Sequence, residues 1–319
     1  MDQDITGIGF GYACISSLVK KCSTARTVSL KRFNQVEADE DRSWLLEKVA
    51  RKNLENTLRL LWHNIAEGIR LYRFSSQLVP LGNHPQAQFW DFTEVLAEEF
   101  ARIGKIVKKY GLRVSTHPGQ YTVINSEKRR VYENAVLDLV YHDRVLRAMG
   151  LDNEAVMVLH VGGVYGDKEA SLERFITNFR ELPVELQERI VIENDDTSYS
   201  IQDVLYLCQT LSRPMVLDVH HHNCYNQGEE LEDHLPEIFA TWDGLARPPK
   251  VHFSSPKSSS EPLSHADYIE PGAFLDFVKL AHGYKYDVMV EAKKQDGAVL
   301  KLWQDIGYSG SRLEPLTKQ

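Results

Sequence analysis

Several features that would assign this 319-residue chain to a special class of protein are absent from its sequence. It has no run of about eighteen apolar residues, which excludes a transmembrane helix, and residues 1–5 lack the basic and apolar parts of a secretory signal. The four cysteines form no C-x-x-C pair, so we expect reduced thiols in a cytosolic protein. Internal repeats, low-complexity tracts and linkers rich in Pro, Gly and Ser are also missing. Their absence favours one domain that spans residues 1–319.

The charge balance at first argues against a nucleic-acid partner, because the formal net charge is −8. Carboxylates that bind divalent cations, however, change the local sign of the potential. The chain has no acidic residue between Asp4 and Glu37. Three clusters of basic residues occur along the chain, and the first lies in this stretch. The clusters are Lys20, Lys21, Arg26, Lys31 and Arg32; Lys105, Lys108, Lys109 and Arg113; and Lys128, Arg129 and Arg130. They fit a surface that faces phosphates, and from charge alone they fit solvated helix faces equally well.

Hydrophobic residues make up 43% of the chain, which is too much for a disordered protein. Short β-branched segments alternate with longer segments, such as 41–67, 90–110, 129–149 and 201–212, whose apolar residues recur at helical spacing. The predicted strands are 6–13, 69–74, 113–117, 156–160, 189–193, 214–218, 249–253 and 287–291. Strands that alternate with helices eight times predict a parallel sheet closed into a (β/α)8 TIM barrel. We expect the serine-rich segment 253–263 to be a loop.

The ends of the predicted strands share a chemical character. Six successive strands, from the third to the eighth, end at or next to a side chain that can bind a metal. These side chains are His117, His160, Glu193, Asp218, His252 and Glu291. In a parallel barrel the carboxyl ends of the strands meet at one mouth, where the active sites of such enzymes lie. One polar strand end is usually structural, but six in register indicate a functional cluster.

Imidazoles and carboxylates together predict which metals this cluster would take. His221 adds a further imidazole, although a surface turn is the alternative for the histidine run 220–222. Mixed nitrogen and oxygen ligands favour Mn²⁺, Zn²⁺ or Fe²⁺ over Mg²⁺ or Ca²⁺. Glu193 lies midway in strand order, which makes it the natural bridge between two ions. Clustered ions can hold a phosphodiester from both sides, activate a water and stabilise the leaving oxygen.

Sequence motifs at nearly every predicted strand carry a family resemblance. They are Gly11-Tyr12, Tyr72-Arg73-Phe74-Ser75-Ser76, His117-Pro118-Gly119-Gln120-Tyr121, Ile192-Glu193-Asn194-Asp195-Asp196, Asp218-Val219-His220-His221-His222, Lys250-Val251-His252, His265-Ala266-Asp267 and Val290-Glu291-Ala292-Lys293. Each motif alone would be weak, but the combination is highly specific. The chain resembles the UV damage endonuclease family, which is related to endonuclease IV within the xylose-isomerase-like barrels.

The resemblance implies three manganese-type sites at the barrel mouth. The first would use His117, His160 and Glu193. The second would use Glu193, Asp218, His252 and Glu291. The third would use His221 and His265, with Asp267 as a ligand or a neighbour. Lys250 matches a lysine that the family carries in carboxylated form, which would make it an anion beside the metals. The alternative is an ordinary lysine paired with a barrel carboxylate.

The resemblance also implies residues that recognise damaged DNA. Gln120 and Tyr121 match a pair that fills the gap left when two damaged bases are flipped out of the duplex. The alternative is that Tyr121 packs on the barrel rim and Gln120 faces solvent. Tyr12 and His84 match positions of the lesion pocket, and His84 joins Glu193 and Lys250 as a candidate catalytic residue. Ser16 stands where the family often has Asn, which leaves the hydrogen bonding of that pocket open.

We therefore expect a monomeric, metal-dependent endonuclease that cuts double-stranded DNA immediately 5′ to cyclobutane pyrimidine dimers and 6-4 photoproducts, with abasic sites as a secondary substrate. An abasic-site enzyme of the endonuclease IV kind is the first alternative. A sugar isomerase or epimerase on the same fold is a second, although it has no use for an intercalating Gln-Tyr pair. A non-catalytic binder of damaged DNA is a third, and the complete ligand set argues against it.

Overall fold

The computed structural model describes Ile5 and residues 7–316. Eight of its strands form a closed barrel in the order β1-β10-β7-β6-β5-β4-β3-β2, and every neighbouring pair is parallel. The barrel strands are β1 Gly9–Ala13, β2 Leu71–Arg73, β3 Arg113–Thr116, β4 Val156–His160, β5 Ile190–Glu193, β6 Met215–Asp218, β7 Lys250–Phe253 and β10 Asp287–Val290. The TIM-barrel prediction is confirmed. Predicted strand ends differ from these by three residues or fewer, and Thr6, the predicted start of the first strand, lies outside the described residues.

Helices return the chain between consecutive barrel strands. They are α1 Leu30–Asn34, α2 Asp39–Glu67, α3 Phe92–Val95, α4 Ala97–Tyr110, α5 Arg129–Ala148, α6 Lys168–Arg180, α7 Val184–Arg189, α8 Ile201–Leu211, α9 Val219–Cys224, α10 Leu231–Ala240, α11 Pro271–Leu280 and α12 Gln295–Asp305, with a 3₁₀ turn at Pro85–Ala87. The longest, α2, has three acidic residues in its first turn, where they favour the helix dipole. It ends at Gly68, whose φ of 85° is a left-handed cap that glycine adopts without strain.

One predicted loop is wrong. Within segment 253–263 and just beyond it, residues form an antiparallel hairpin of β8 Pro256–Ser258 and β9 Glu261–His265, which is separate from the barrel sheet. Serine and proline are poor strand formers, so local composition gives little sign of it. The hairpin's own backbone closes its base: next to the paired strands, the amide of Ala266 donates to the carbonyl of Ser255 at 2.8 Å.

The side chains inside the barrel form three layers along its axis. An ion pair lies at the amino-terminal ends of the strands, apolar residues fill the middle, and polar residues lie at the mouth. Side chains on a strand alternate between the two faces, and Val156, Val158, Val191 and Val216 form a buried cluster with Trp242 that is separate from the main core. At the amino-terminal ends of the strands, Arg113 and Asp287 start β3 and β10 and pair at 2.7 Å between Nη1 and Oδ2.

The main core lies between the strands and the surrounding helices. On β1, Phe10 packs edge-on against Trp303 of α12 with ring centroids 5.7 Å apart, and it also contacts Phe274 of α11 at 5.8 Å. The inward positions of the same strand are glycines. A Cβ on Gly11 would lie 2.1 Å from the carbonyl oxygen of Leu71, so a side chain cannot be placed there without moving β2. Among the described residues, no helix combines the length and the apolar character needed to cross a membrane.

Candidate metal centre at the barrel mouth

The six predicted ligands at the strand ends converge on one mouth of the barrel. They fall into two overlapping groups in which the candidate ligand atoms all lie within 4.8 Å of one another. The first group is His117, His160 and Glu193, and the second is Glu193, Asp218, His252 and Glu291. The strand register causes this convergence, because His160 is paired with Glu193 across β4 and β5, and Asp218 with His252 across β6 and β7.

Glu193 is the residue common to both groups. It is 1% exposed, and its two oxygens face different partners. Oε2 lies 3.1 Å from Nε2 of His117 and 3.4 Å from Nε2 of His160, while Oε1 lies 2.5 Å from Nδ1 of His252. Burial alone would raise the pKa of Glu193, but the imidazoles of His252 and His160 outweigh it and hold that pKa well below its usual range. The carboxylate is therefore ionised and placed between two sets of nitrogen ligands.

The cluster has more buried polar atoms than the protein itself satisfies. Asp218 is fully buried, and its Oδ1 accepts from the backbone amide of His221 at 2.8 Å, whereas its Oδ2 has no hydrogen-bond partner in the described part of the chain. Burial raises the pKa of Asp218 to about 8, and the nearby carboxylates of Glu193 and Glu291 add to the rise. His160 Nδ1 and His252 Nε2 are likewise buried without a partner there. Carboxylates crowded together in this way fit a site that receives cations.

Backbone carbonyls fix the orientation of three imidazoles. His221 Nδ1 lies 2.9 Å from the carbonyl oxygen of Asn194, His265 Nδ1 lies 2.6 Å from that of Glu291, and His117 Nδ1 lies 3.1 Å from that of Pro118. A carbonyl oxygen can only accept, so Nδ1 carries a proton in each of these rings, and Nε2 is the nitrogen that faces the other side chains of the cluster. This is the arrangement that metal-binding histidines commonly show. The rings of His221 and His265 have centroids 6.4 Å apart.

Two buried basic side chains accompany these ligands. Arg73, at the end of β2, is 6% exposed and its Nη2 forms an ion pair with Oε1 of Glu291. Lys250 starts β7, is 1% exposed and forms no ion pair with a carboxylate in the described part of the chain. Burial, together with the charges of Arg113 and Arg73, holds the pKa of Lys250 well below its usual range. Arg73 stands in one of the family motifs, but arginine is not a metal ligand, so the pattern of metal-binding strand ends does not mark it as a site residue.

An exposed turn stands beside the metal-competent cluster. After His117, the backbone amide of Thr122 donates to the carbonyl of Gly119 at 2.8 Å, which places Gln120 and Tyr121 at the centre of a tight turn. The Tyr121 side chain is 82% exposed, an unusual position for an aromatic ring. This exposure removes the alternative in which Tyr121 packs on the barrel rim.

Comparison with known proteins decides which family has this combination of features. A family model described as UV-endonuclease UvdE matches residues 8–314. The chain belongs to this family. The UV DNA damage endonuclease of Bacillus pumilus (strain SAFR-032) is 41% identical over 304 residues, which cover 93% of each chain. The crystal structure of SacUVDE is 31% identical, has a TM-score of 0.83 and aligns with 94% of this chain and 99% of its own.

A more distant likeness shows the fold alone. Endonuclease IV from Thermus thermophilus is 15% identical with a TM-score of 0.54, over 93% of this chain and 98% of its own. Membership of the UvdE family makes the chain an endonuclease that acts on DNA. The resemblance stated from the sequence motifs is thus confirmed, and a non-catalytic or sugar-converting protein is not what this family contains.

One candidate lesion-pocket residue of this UvdE chain, Tyr12, lies on the outward face of β1 beneath α2. Tyr12 is fully buried, and its hydroxyl donates to Oδ1 of Asn64 on α2 at 2.9 Å. In this conformation it cannot touch a DNA base, so its predicted contact with the lesion has no support. Ser16 is also engaged, because its hydroxyl donates to Asp296 and accepts from the amide of Val19 at 2.8 Å. This hydroxyl therefore organises the turn after β1.

His84 and Asp267 have local structural partners. His84 caps the 3₁₀ turn, since its Nδ1 accepts from the amide of Gln86 at 3.2 Å. Neither His84 nor Asp267 belongs to the two groups of metal-competent residues in the described part of the chain. Asp267 instead lies 3.6 Å from the Nζ of Lys294. The catalytic prediction for His84 therefore stays a prediction.

The three basic clusters lie at different ends of the barrel. The first follows β1 and the third opens α5 after β3, so both lie on the mouth side, and all their side chains are exposed. The second cluster closes α4 and starts β3, which puts it at the opposite end. Its Arg113 is 4% exposed and paired with Asp287. For this second cluster the structure favours the alternative of a solvated helix face, because the barrel lies between the cluster and the mouth.

Proposed function

We propose that the chain hydrolyses the DNA phosphodiester immediately 5′ to cyclobutane pyrimidine dimers and 6-4 photoproducts, and more weakly at abasic sites. The observation that carries the proposal is a combination at one mouth. A cluster of buried ligands centred on Glu193 lies beside an exposed turn with Gln120 and Tyr121 at its tip. The cluster suits the chemistry of a phosphodiester, and the turn suits a duplex from which bases have been flipped out.

The residues present fit divalent metal ions. His117, His160 and Glu193 would hold the first ion, and Glu193 would share the second with Asp218, His252 and Glu291. His221 and His265 would hold the third through the Nε2 atoms that their backbone contacts leave free. Mn²⁺ matches this mixture of nitrogen and oxygen ligands, as does Zn²⁺. Bound ions of this kind lower the pKa of a water and neutralise the charge that develops on the phosphate.

Around these sites, the chain's own residues orient the ligands and fill the gap in the duplex. Asn194, Glu291 and Pro118 hold three imidazoles in one tautomer through their carbonyls. Arg73 fixes the carboxylate of Glu291 from the side. Gln120 and Tyr121 enter the stack where the damaged bases leave it, and the tyrosine ring replaces a lost stacking partner.

Lys250 is carboxylated in this proposal. The reaction joins Nζ of the neutral amine to the carbon of CO₂ and releases one proton, which gives a carbamate anion. The buried position of Lys250, without a carboxylate partner in the described residues, supports this modification. The nearby guanidinium groups of Arg73 and Arg113 would stabilise the anion. An intact-mass measurement under CO₂ and after acidification would detect the added mass in the first sample alone.

An abasic-site enzyme of the endonuclease IV kind is the second candidate, since the fold is shared. The exposed Gln120–Tyr121 turn favours lesions that keep their bases. We also propose that the protein is monomeric and cytosolic. A monomer leaves the mouth of the barrel open to a duplex.

Position-specific cleavage tests the proposal. Four end-labelled duplexes of one sequence would carry a cyclobutane dimer, a 6-4 photoproduct, an abasic site or no damage, each with Mn²⁺ present. We expect a single cut immediately 5′ to either photoproduct and no cut in the undamaged duplex. Cleavage at the abasic site alone would favour the second candidate, and cleavage of none would contradict both.

A further inference from the structure

The β8–β9 hairpin is a structural element of the mouth whose residues before His265 belong to no sequence motif and to no proposed metal site. It leaves the barrel directly after β7, which carries His252, and it ends at His265. Nδ1 of His265 lies 2.6 Å from the carbonyl of Glu291, and the amide of Lys293 donates to the carbonyl of Ala266 at 2.9 Å. The base of the hairpin is therefore tied to the same loops that hold the metal-competent cluster.

Helix α9 braces the hairpin from the other side. The ring of His220 lies 5.2 Å, centroid to centroid, from the ring of His265. Sγ of Cys224, one turn further along α9, lies 3.8 Å from Nε2 of His220 and 3.7 Å from the carbonyl oxygen of Pro262. His220 is 2% exposed. This histidine, the first of the three in the motif, therefore supports the hairpin and does not add a metal ligand. The hairpin is thus held at a fixed position beside the cluster.

The outer part of the hairpin is exposed and rich in small hydrogen-bonding groups. All residues from Pro256 to Leu263 are exposed, and the tip is Ser259-Ser260. The one acidic side chain, Glu261, is paired with Lys257 at 2.6 Å between Oε2 and Nζ, so the tip carries little net charge. Leu263 is 47% exposed and precedes His265 by two residues, so it points to the same face of β9.

We propose that this hairpin, through the hydroxyls and amides of Ser259 and Ser260 and the apolar side chain of Leu263, contacts the sugar-phosphate backbone of the DNA strand that is cut. His265 at the base of the hairpin lies against the backbone of Glu291, a member of the metal-competent cluster, so DNA with a phosphodiester at the cluster would lie beside the hairpin. Serine hydroxyls and backbone amides are common donors to phosphate oxygens, and they set the register of a protein on DNA without reading sequence. This inference rests on DNA cleavage at the mouth, as proposed above.

A pair of matched charge variants tests the contact. In S259D/S260D, two negative charges at the tip would repel phosphates. In S309D/S311D, the same substitutions are made at two exposed serines that follow α12 at the opposite end of the barrel. Both variants change the net charge equally, so any difference between them reports position. The readouts are kcat and KM for a duplex with one cyclobutane dimer, at two salt concentrations, with metal content measured in parallel.

We expect S259D/S260D to raise KM about tenfold at low salt with little change in kcat, and the difference to shrink as salt screens the added charges. S309D/S311D should behave like the parent. An equal KM in the two variants would overturn the hairpin contact while leaving DNA cleavage by the parent intact. A parent that does not cut the damaged duplex would instead contradict the proposed function itself.

A milder variant guards against a damaged hairpin. If S259D/S260D loses bound metal, the charges have displaced His265, and S259A/S260A decides. That variant removes two hydroxyls and adds no charge, so we expect full metal content and a KM raised about two- to fivefold by the loss of weak hydrogen bonds. Parent-like KM in S259A/S260A with full metal content would overturn the proposal.

Discussion

The two ends of the barrel interior both contain buried charges, but they are organised in opposite ways. At the amino-terminal end, Arg113 and Asp287 form a matched pair at 2.7 Å, and the guanidinium of Arg113 also lies over the ring of Trp242. At the mouth, Oδ2 of Asp218, Nδ1 of His160 and Nε2 of His252 are buried without a hydrogen-bond partner in the described part of the chain. An ion pair that balances its own charge needs no further ion, whereas buried carboxylate and imidazole atoms without hydrogen-bond partners can bind cations. This contrast separates structural from functional polar groups within one barrel.

The largest effect should come from the residue that both ligand groups share. We expect Glu193→Gln to lose bound metal and DNA incision together, since an amide cannot bridge two cations as a carboxylate does. Incision should fall to the level of the chelated parent, and the thermal unfolding of the protein should remain cooperative. Metal analysis and a nicking assay would check this, with Glu232→Gln, an exposed residue of α10, as the control. Full activity of Glu193→Gln would remove this residue from the bridge.

At the opposite end, the same logic predicts a loss of stability while the metal ligands stay in place. Arg113→Leu leaves the largely buried carboxylate of Asp287 without its cation and with only the amide of Gly9 as a donor, which should cost up to about 3–5 kcal/mol of unfolding free energy. The double variant R113L/D287L should recover part of this loss, because no lone charge remains. Metal content should stay at the parental level in both. Urea unfolding would measure the cost, and metal loss in these variants would break the distinction between the two ends.

The exposed turn should affect DNA binding but not the metal cluster. Stacking on an aromatic side chain contributes roughly 1–3 kcal/mol per base, so Q120A/Y121A should weaken binding to a photoproduct duplex about ten- to a hundredfold. The loss should be smaller on abasic DNA, where less stacking is disrupted at the start. Y284A/Q304A removes the same residue types from the other end of the barrel and is the matched control. Equal affinity in both variants would defeat the assignment of this turn.

The basic clusters should give the smallest effects, and these should depend on the end of the barrel. Removing the charges of Lys128 and Arg130 should weaken binding to damaged and undamaged DNA alike and should reduce the slope of affinity against salt. Neutralising Lys108 and Lys109 at the opposite end should change neither. Salt titrations of binding would compare the two. A similar slope in both variants would mean that net charge, and not position, steers DNA to the protein.

The sequence was sufficient for the barrel and for the convergence of its ligands. Strand period and strand-end chemistry are local signals, and parallel closure then brings Glu193 and its partners together without further information. Burial was harder to predict. From the sequence, Arg113 is one member of a predicted surface cluster, because linear spacing does not show which residues of a strand point into the barrel. Tyr12 lies on the outward face of β1 and is covered by α2, a contact across 52 positions that no local pattern reveals.

The hairpin shows the same limit in another form. Its serines and prolines predict a loop, whereas the structure has paired strands that also contact a distant segment, at Cys224 and Pro262. Elements whose structure depends on such contacts are the ones that sequence patterns miss.

Metal restoration tests the central claim most directly, namely that the unmatched ligands at the mouth form a catalytic metal centre. The protein would be treated with a chelator, dialysed and titrated with Mn²⁺, while incision of a cyclobutane-dimer duplex and the melting temperature are followed at each step. We predict no incision in the chelated protein and a joint recovery of incision and thermal stability as Mn²⁺ is added, with Glu193→Gln recovering neither. Full incision by a chelated protein that contains no detectable metal would contradict the account.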